Sequence, residues 1–186
     1  MEITKTAIDG VLIIEPRAFA DDRGFFMETY NKERYLQSGV DGEFVQDNVS
    51  VSKKGTLRGL HYQAPPFAQG KLVQVLRGSV LDVAVDIRFG SPTFGNYVSV
   101  ELSAENKKQF WIPAGFAHGF VALEDDTIFS YKCTNVYSPE NDRGVLWSDT
   151  QIGIEWPFPE AELLISDKDK KQLLLKDIAQ EFIWQK

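Results

Sequence analysis

Cysteine and histidine are scarce in this chain of 186 residues, which holds one cysteine, Cys133, and two histidines, His61 and His118. One cysteine excludes an internal disulfide framework and a cysteine-based zinc site. It also fits a reducing compartment, so the cytoplasm is the expected location. Two histidines exclude any mechanism that needs three histidine ligands. Residues 1–10 lack the basic region and apolar core of a secretory signal. The longest apolar runs, such as residues 11–14, fall far short of the roughly 20 residues that span a bilayer, so no membrane association is expected. An excess of positive charge is lacking too. With 20 Lys and Arg against 27 Asp and Glu the net charge is −7, which argues against general binding to nucleic acid. It leaves room for a small anionic ligand, because a few placed arginines override the average locally.

What is present is an ordinary globular composition, 43% apolar and 25% charged. The length supports one domain over residues 1–186, able to bury roughly 70% of its unfolded surface. Short β-prone segments punctuated by Gly, Pro and Asn dominate: 11–15, 25–29, 49–52, 57–62, 71–76, 80–86, 97–102, 109–112, 119–122 and 128–136. The stretch 72–86 reads as a hairpin bent at Arg77-Gly78-Ser79, with Asp82 and Asp86 on one face of its second strand. Asn31 can cap a helix over 32–37 that Gly39 ends, and Ser166 or Asp167 can cap one over 170–175, running on toward Phe182. Many short strands, with no alternation of strand and long helix, point to an all-β sandwich or barrel, with a jelly roll favoured.

Both histidines lie in polar, glycine-containing segments. In Thr56-Leu57-Arg58-Gly59-Leu60-His61-Tyr62-Gln63, regular alternation places Gly59, His61 and Gln63 on one face and Arg58, Leu60 and Tyr62 on the other. His118 follows the tight Pro113-Ala114-Gly115 turn. Either can be a hydrogen-bonded structural histidine or a working one. Four of the seven arginines (Arg23, Arg58, Arg77 and Arg143) stand directly before glycine, a pairing that lets backbone approach an anion while the guanidinium grips it. A turn with a solvated charge is the plainer reading for any one pair, and Arg77 at its bend fits it best. Most of the aromatic residues, 12% of the chain, belong in a core, although a cavity-lining Tyr can also serve as a general acid.

Pro113-Ala114-Gly115-Phe116-Ala117-His118 resembles the second motif of the cupins, whose first motif normally supplies His-x-His. Here His61-Tyr62-Gln63 stands in its place, so the usual metal set is broken and a cupin working without metal is implied. Further motifs occur in order: Arg23-Gly24-Phe25-Phe26-x-Glu28, Gln46-Asp47-Asn48-x-Ser50, Leu57 to Gln63, Lys71-Leu72-Val73, Tyr131, and Ser166-Asp167-Lys168-Asp169. Together they resemble the dTDP-4-dehydrorhamnose 3,5-epimerase family over about residues 3–170, leaving 170–186 as a helical tail.

The resemblance implies a cupin-type jelly roll, a homodimer, no cofactor and no metal. The implied activity is epimerisation at carbons 3 and 5 of dTDP-4-dehydro-6-deoxy-D-glucose. It makes His61 the base, Asp169 its partner, Tyr131 the proton donor and Lys71 the stabiliser of the enolate. Substrate contacts carry over to Arg23, Phe25, Glu28, Gln46, Asn48, Arg58, His118, Asp142 and Lys168. Asp142 departs from the family, which often has the longer Glu there. Asp167 competes with Asp169 for His61, and Asp169 is preferred because the family keeps the acid after the lysine. The alternatives are a single-centre epimerase or 3,4-ketoisomerase, a non-catalytic sugar-nucleotide-binding cupin, and, last, a metal-dependent oxygenase. The strand over 11–14 can pair within its own sheet or with a partner subunit's.

Overall fold

The computed structural model describes residues 1–185; Lys186, the end of the expected tail, lies outside the described residues. Strands β1 (Glu2–Lys5) and β2 (Leu12–Glu15) precede a projecting hairpin of β3 (Ala18–Asp21) and β4 (Gly24–Met27). Helix α1 (Lys32–Gln37) leads to β5 (Gln46–Ser52), β6 (Thr56–Gln63), β7 (Lys71–Arg77) and β8 (Ser79–Asp86). Then come β9 (Tyr97–Ser103), β10 (Gln109–Ile112), β11 (Phe116–Ala122) and β12 (Thr127–Cys133), followed by the short β13 (Asp142–Gly144) and β14 (Leu164–Ile165). Two sheets result, one ordered β1-β2-β10-β7-β12-β5 and the other β13-β6-β11-β8-β9, with β14 parallel to β6. This is the all-β jelly-roll barrel that the strand pattern and the family motifs imply.

The core lies between the sheets. Val73, Val75, Phe110 and Phe129 from the first meet Val80, Ala84, Phe116 and Phe120 from the second. Phe129 and Phe120 stack with ring centroids 4.1 Å apart; burying each such side chain is worth roughly 1.5–3 kcal/mol. The outer face of the first sheet is covered by α1 through Tyr35 against Leu12, Leu72 and Trp111. Asn31 caps α1 as expected, its side chain accepting from the Arg34 N–H at 3.2 Å. Strand β2 pairs with β1 and β10 of its own chain.

Three expectations change. The stretch 72–86 is not a hairpin, because β7 and β8 lie in different sheets and Gly78 turns the chain across the barrel corner. Gly78 has φ +74°, and a Cβ there would meet Thr127 Oγ1 at 2.5 Å, so this corner is too tight for a side chain. The C-terminal segment also forms no α-helix, only 3-10 turns at Asp169–Lys171 and Leu175–Asp177. Its backbone bonds go to the barrel instead: Leu173 accepts from Leu146, Phe182 accepts from Phe89, and Trp184 donates to Phe89. Leu175, Ile178 and Phe182 thereby cover the outer face of the second sheet. The Arg88 guanidinium, 4.4 Å from both rings, sits against Phe116 and Trp184. The C-terminal backbone groups are thus satisfied by bonds to the barrel rather than within a helix.

The pairing of β6 with β11 contains one extra residue. His61 stands opposite His118 and Arg58 opposite Phe120, three steps on β6 against two on β11. The alternation along 56–63 therefore breaks at Gly59. Arg58 and His61, expected on opposite faces, both point into the barrel. Gly59 has φ +139°, and a Cβ there would lie 2.5 Å from the Gly119 Cα. Gly59→Ala is expected to destabilise the fold by about 2–4 kcal/mol, as backbone strain and a backbone clash do elsewhere. Urea unfolding measures it, and a loss below about 0.5 kcal/mol, the range of neutral surface changes, would show that β6 tolerates a side chain there.

Candidate active site

A cavity of about 680 Å³ opens between the sheets, and a second of about 320 Å³ adjoins it, with His61, Lys71, Tyr131 and Lys168 lining both. The second sheet supplies Arg58 and His61 from β6 and His118 from β11, while the first supplies Lys71 from β7 and Tyr131 from β12. Tyr131 and His61 thus rise from opposite walls of one cavity.

The His61 Nε2 lies 2.6 Å from Asp169 Oδ1, a contact between residues 108 positions apart. Asp169 is only 4% exposed. Its other oxygen accepts from the Gly59 N–H at 3.4 Å, and its own N–H donates to Ser166 Oγ at 3.1 Å. Asp169, with the Ser166 cap behind it, is thus the carboxylate seated against His61. Burial alone would raise the Asp169 pKa, but the His61 hydrogen bond and charge, then the Gly59 N–H and Ser166, outweigh it and hold the carboxyl below its ordinary 3.8.

The other groups have distinct electrostatic states. Burial pulls the Lys71 ammonium below its ordinary value, reinforced by Lys168 and opposed by the nearby Asp82 and Asp142 carboxylates. Burial pushes the Tyr131 phenol up, which keeps its proton in place at neutral pH. Arg58 Nε donates to Ser52 Oγ at 3.3 Å across the barrel.

Gln46, Asn48 and Asp142 line the adjoining cavity. Gln46 donates to Asn48 at 3.1 Å, and Asp142 Oδ2 takes both Lys168 Nζ and the Tyr137 hydroxyl. Arg23, Phe25 and Glu28 are not brought to this cavity. Arg23 and Phe25 lie on the projecting hairpin and Glu28 just past it, with Arg23 paired to Asp21 and Glu28 to Arg34.

Sequence reasoning did not single out Tyr137, Ser166 as the Asp169 brace, or Asp82 as the partner of His118. Asp82 is recognisable only through His118, 36 positions away, whereas Ser166 and Tyr137 bond the near neighbours Asp169 and Asp142, whose own place in the site depends on the fold. Of the four Arg-Gly pairs only Arg58 lines the main cavity, while Arg77 is a solvated corner residue and Arg143 bonds the Glu140 and Asp142 carbonyls. Among the described residues no group of three or more His, Cys, Asp or Glu side chains is arranged to hold a metal ion.

A family model described as dTDP-4-dehydrorhamnose 3,5-epimerase matches residues 5–177. The chain belongs to the dTDP-4-dehydrorhamnose 3,5-epimerase family. It is therefore an isomerase acting on carbohydrate. An epimerase of that name from Shigella flexneri is 58% identical over 170 residues, 91% of this chain and 93% of its own. The structure of a dTDP-6-deoxy-D-glucose-3,5-epimerase from Legionella pneumophila, in complex with dTDP-4-keto-L-rhamnose, superposes with a TM-score of 0.95 at 50% identity, covering 100% of this chain and 99% of that one. A Bacillus anthracis dTDP-4-dehydrorhamnose 3,5-epimerase with TDP and PPi bound gives 0.90 at 47% identity, over 93% and 98%.

The lowered Asp169 pKa makes the His61–Asp169 contact of this epimerase fold pH-sensitive. A carboxylate with a depressed folded pKa contributes stability that is full above its unfolded value of about 3.9 and lost as the pH falls through the folded one. Asp169→Asn is expected to cost roughly 1.5–3 kcal/mol at neutral pH, the range for hydrogen bonds to charged groups. The gap to wild type should close as the pH drops below about 4. Thermal melts of both proteins between pH 3 and 7 measure this; a gap constant with pH would detach the stability from the carboxylate charge.

Proposed function

We propose that this chain converts dTDP-4-dehydro-6-deoxy-D-glucose to dTDP-4-dehydro-L-rhamnose by inverting carbons 3 and 5 in turn. The observation that carries the reading is the placement of an Asp-backed histidine and a protonated tyrosine on opposite walls of one cavity. The hydrogens on carbons 3 and 5 are acidified by the ketone at carbon 4. His61 removes one of them, and the electron pair passes to the ketone oxygen to give an enolate. The Lys71 ammonium stabilises that oxygen, and its burial between the sheets makes such stabilisation stronger than in water. Tyr131 returns a proton to the same carbon from the opposite face, which inverts it. Exchange with water resets both groups before the second centre reacts. Asp169 holds the imidazole in orientation and stabilises its charged form, the usual work of a carboxylate behind a catalytic histidine.

Arg58, His118, Gln46, Asn48, Asp142 and Lys168 hold the sugar nucleotide from within the barrel in this reading. Arg23, Phe25 and Glu28 serve the same ligand from a second subunit of a homodimer. The β3–β4 hairpin supports this with Phe19, Phe25 and Phe26 at 54%, 57% and 71% exposure, an apolar surface of the kind that marks a contact site. The protein acts as one domain in the cytoplasm. No helix among the described residues is long and apolar enough to cross a membrane.

Incubation with the keto-sugar substrate in D₂O, with a chelator present, should place deuterium at both carbon 3 and carbon 5. Exchange at one carbon only would reduce the activity to single-centre epimerisation, and binding without exchange would leave a binding protein. His61→Ala should lower turnover by the ~10²–10⁴ that a general base supplies; a near-wild-type rate removes His61 from the mechanism. Tyr131→Phe should impair product formation more than the first exchange, and equal mild effects would count against a donor role. For the dimer, sedimentation equilibrium should give twice the chain mass of 21.0 kDa. Arg23→Ala should raise KM with little change in kcat; a monomer would leave the hairpin residues without a route to the ligand.

A further inference from the structure

A second histidine–carboxylate pair lies deeper in the barrel. Asp82 on β8 is fully buried, and His118 on β11 is 7% exposed. Both Asp82 oxygens lie within hydrogen-bond distance of His118 Nε2, at 2.9 and 3.1 Å. Two oxygens sharing one nitrogen is the geometry of an N–H directed between the oxygens of an ionised carboxylate, because a carboxylic acid would bond through its single O–H. The Phe129 ring stacks against the imidazole with centroids 6.2 Å apart, fixing its plane.

The charged or titratable groups facing His118 are Asp82 from β8, Lys71 from β7 and His61 from β6. Burial raises the Asp82 pKa, while His118 and the Lys71 ammonium act against that rise and favour the carboxylate; with Lys71 offsetting the Asp82 charge, a neutral His118 leaves this buried set balanced. A proton added to His118 would bury a further cation, and burial already pulls the His118 pKa down. With the proton on Nε2, the Nδ1 lone pair has no hydrogen-bond partner among the described residues, and His118 lines the cavity. An acceptor nitrogen repels phosphate oxygens and selects an O–H donor, of which the sugar of a sugar nucleotide has several.

We propose that Asp82 is a positioning residue, which keeps His118 neutral with its proton on Nε2 so that Nδ1 accepts a hydrogen bond from a hydroxyl of the bound sugar. This rests on the reading of the cavity as a sugar-nucleotide site. The two-histidine composition makes the test simple, since ¹⁵N-histidine labelling gives only two imidazoles and His61→Ala assigns them. At pH 7.5 the wild-type spectrum should show His118 protonated on Nε2 only. Adding dTDP-glucose, which lacks the reactive ketone, should shift the His118 Nδ1 resonance, and dTDP alone should not.

In Asp82→Asn the amide can donate to Nε2, so part of His118 should move its proton to Nδ1, the exchange of tautomer seen when a carboxylate behind a histidine is amidated. The kcat/KM should fall at least tenfold while affinity for dTDP stays within twofold. A wild-type His118 protonated on Nδ1 or on both nitrogens overturns the proposal. So does an equal response to dTDP and dTDP-glucose, or an Asp82→Asn protein with wild-type tautomer and turnover. If Asp82→Asn does not fold, the wild-type spectra decide. Failure of deuterium exchange in the wild type would sink the epimerase reading separately, since it does not alter where His118 carries its proton.

Discussion

The extra residue that β6 carries against β11 acts on the whole cavity. It shifts the inside–outside phase of the strand, so Arg58 and His61 both enter the barrel while Leu57, Leu60 and Tyr62 pack outward. It leaves the Gly59 N–H free of the ladder and available to Asp169. It also demands a residue with no side chain where Gly59 crosses Gly119. A regular β6 would send Arg58 to the outer face, and the main cavity would lose a cation.

The C-terminal segment completes what β6 begins. Its backbone is tied to Phe89 and Leu146 and its apolar side chains cover the second sheet, so Asp169 arrives on a braced turn rather than on a free tail. The cavity then holds two imidazoles, each with a carboxylate, opposite each other on adjacent strands. They differ in surroundings: the His61 side chain is 30% exposed and reaches the open cavity, whereas the His118 side chain is 8% exposed. That difference suits the first to proton transfer and the second to a fixed hydrogen bond. The protein is acidic overall, yet Arg58, Lys71, Lys168 and Lys170 all line the main cavity, which gives an anionic ligand a local positive field inside a negative surface.

Much of this was legible in the chain itself. Short β-prone segments marked most strands but not β1, β3, β13 or β14, Asn31 and Gly39 bounded α1, and the scarcity of His and Cys limited the chemistry before any fold was known. The ordered motifs pointed to the family, and with it to His61, Lys71, Tyr131 and Asp169. The errors share one origin. The stretch 72–86 has hairpin spacing, yet its two halves pair with different partners. Residues 170–175 have helix-capping chemistry, yet the barrel surface outbid the helix for their backbone bonds. Arg58 has the wrong parity for the cavity, yet a bulge corrected it.

Local pattern thus determined most of the longer strands and which residue types carry chemistry, because β propensity, capping and turn preference act over a few neighbouring residues. Only the tertiary structure decided which strands share a sheet, that Arg58 faces inward, that Asp169 and not Asp167 meets His61, and that Asp82 stands behind His118. Those outcomes depend on contacts between residues as far as 108 positions apart. Their energies come from burial and from pairing polar groups away from water, which exist only once the chain has closed on itself.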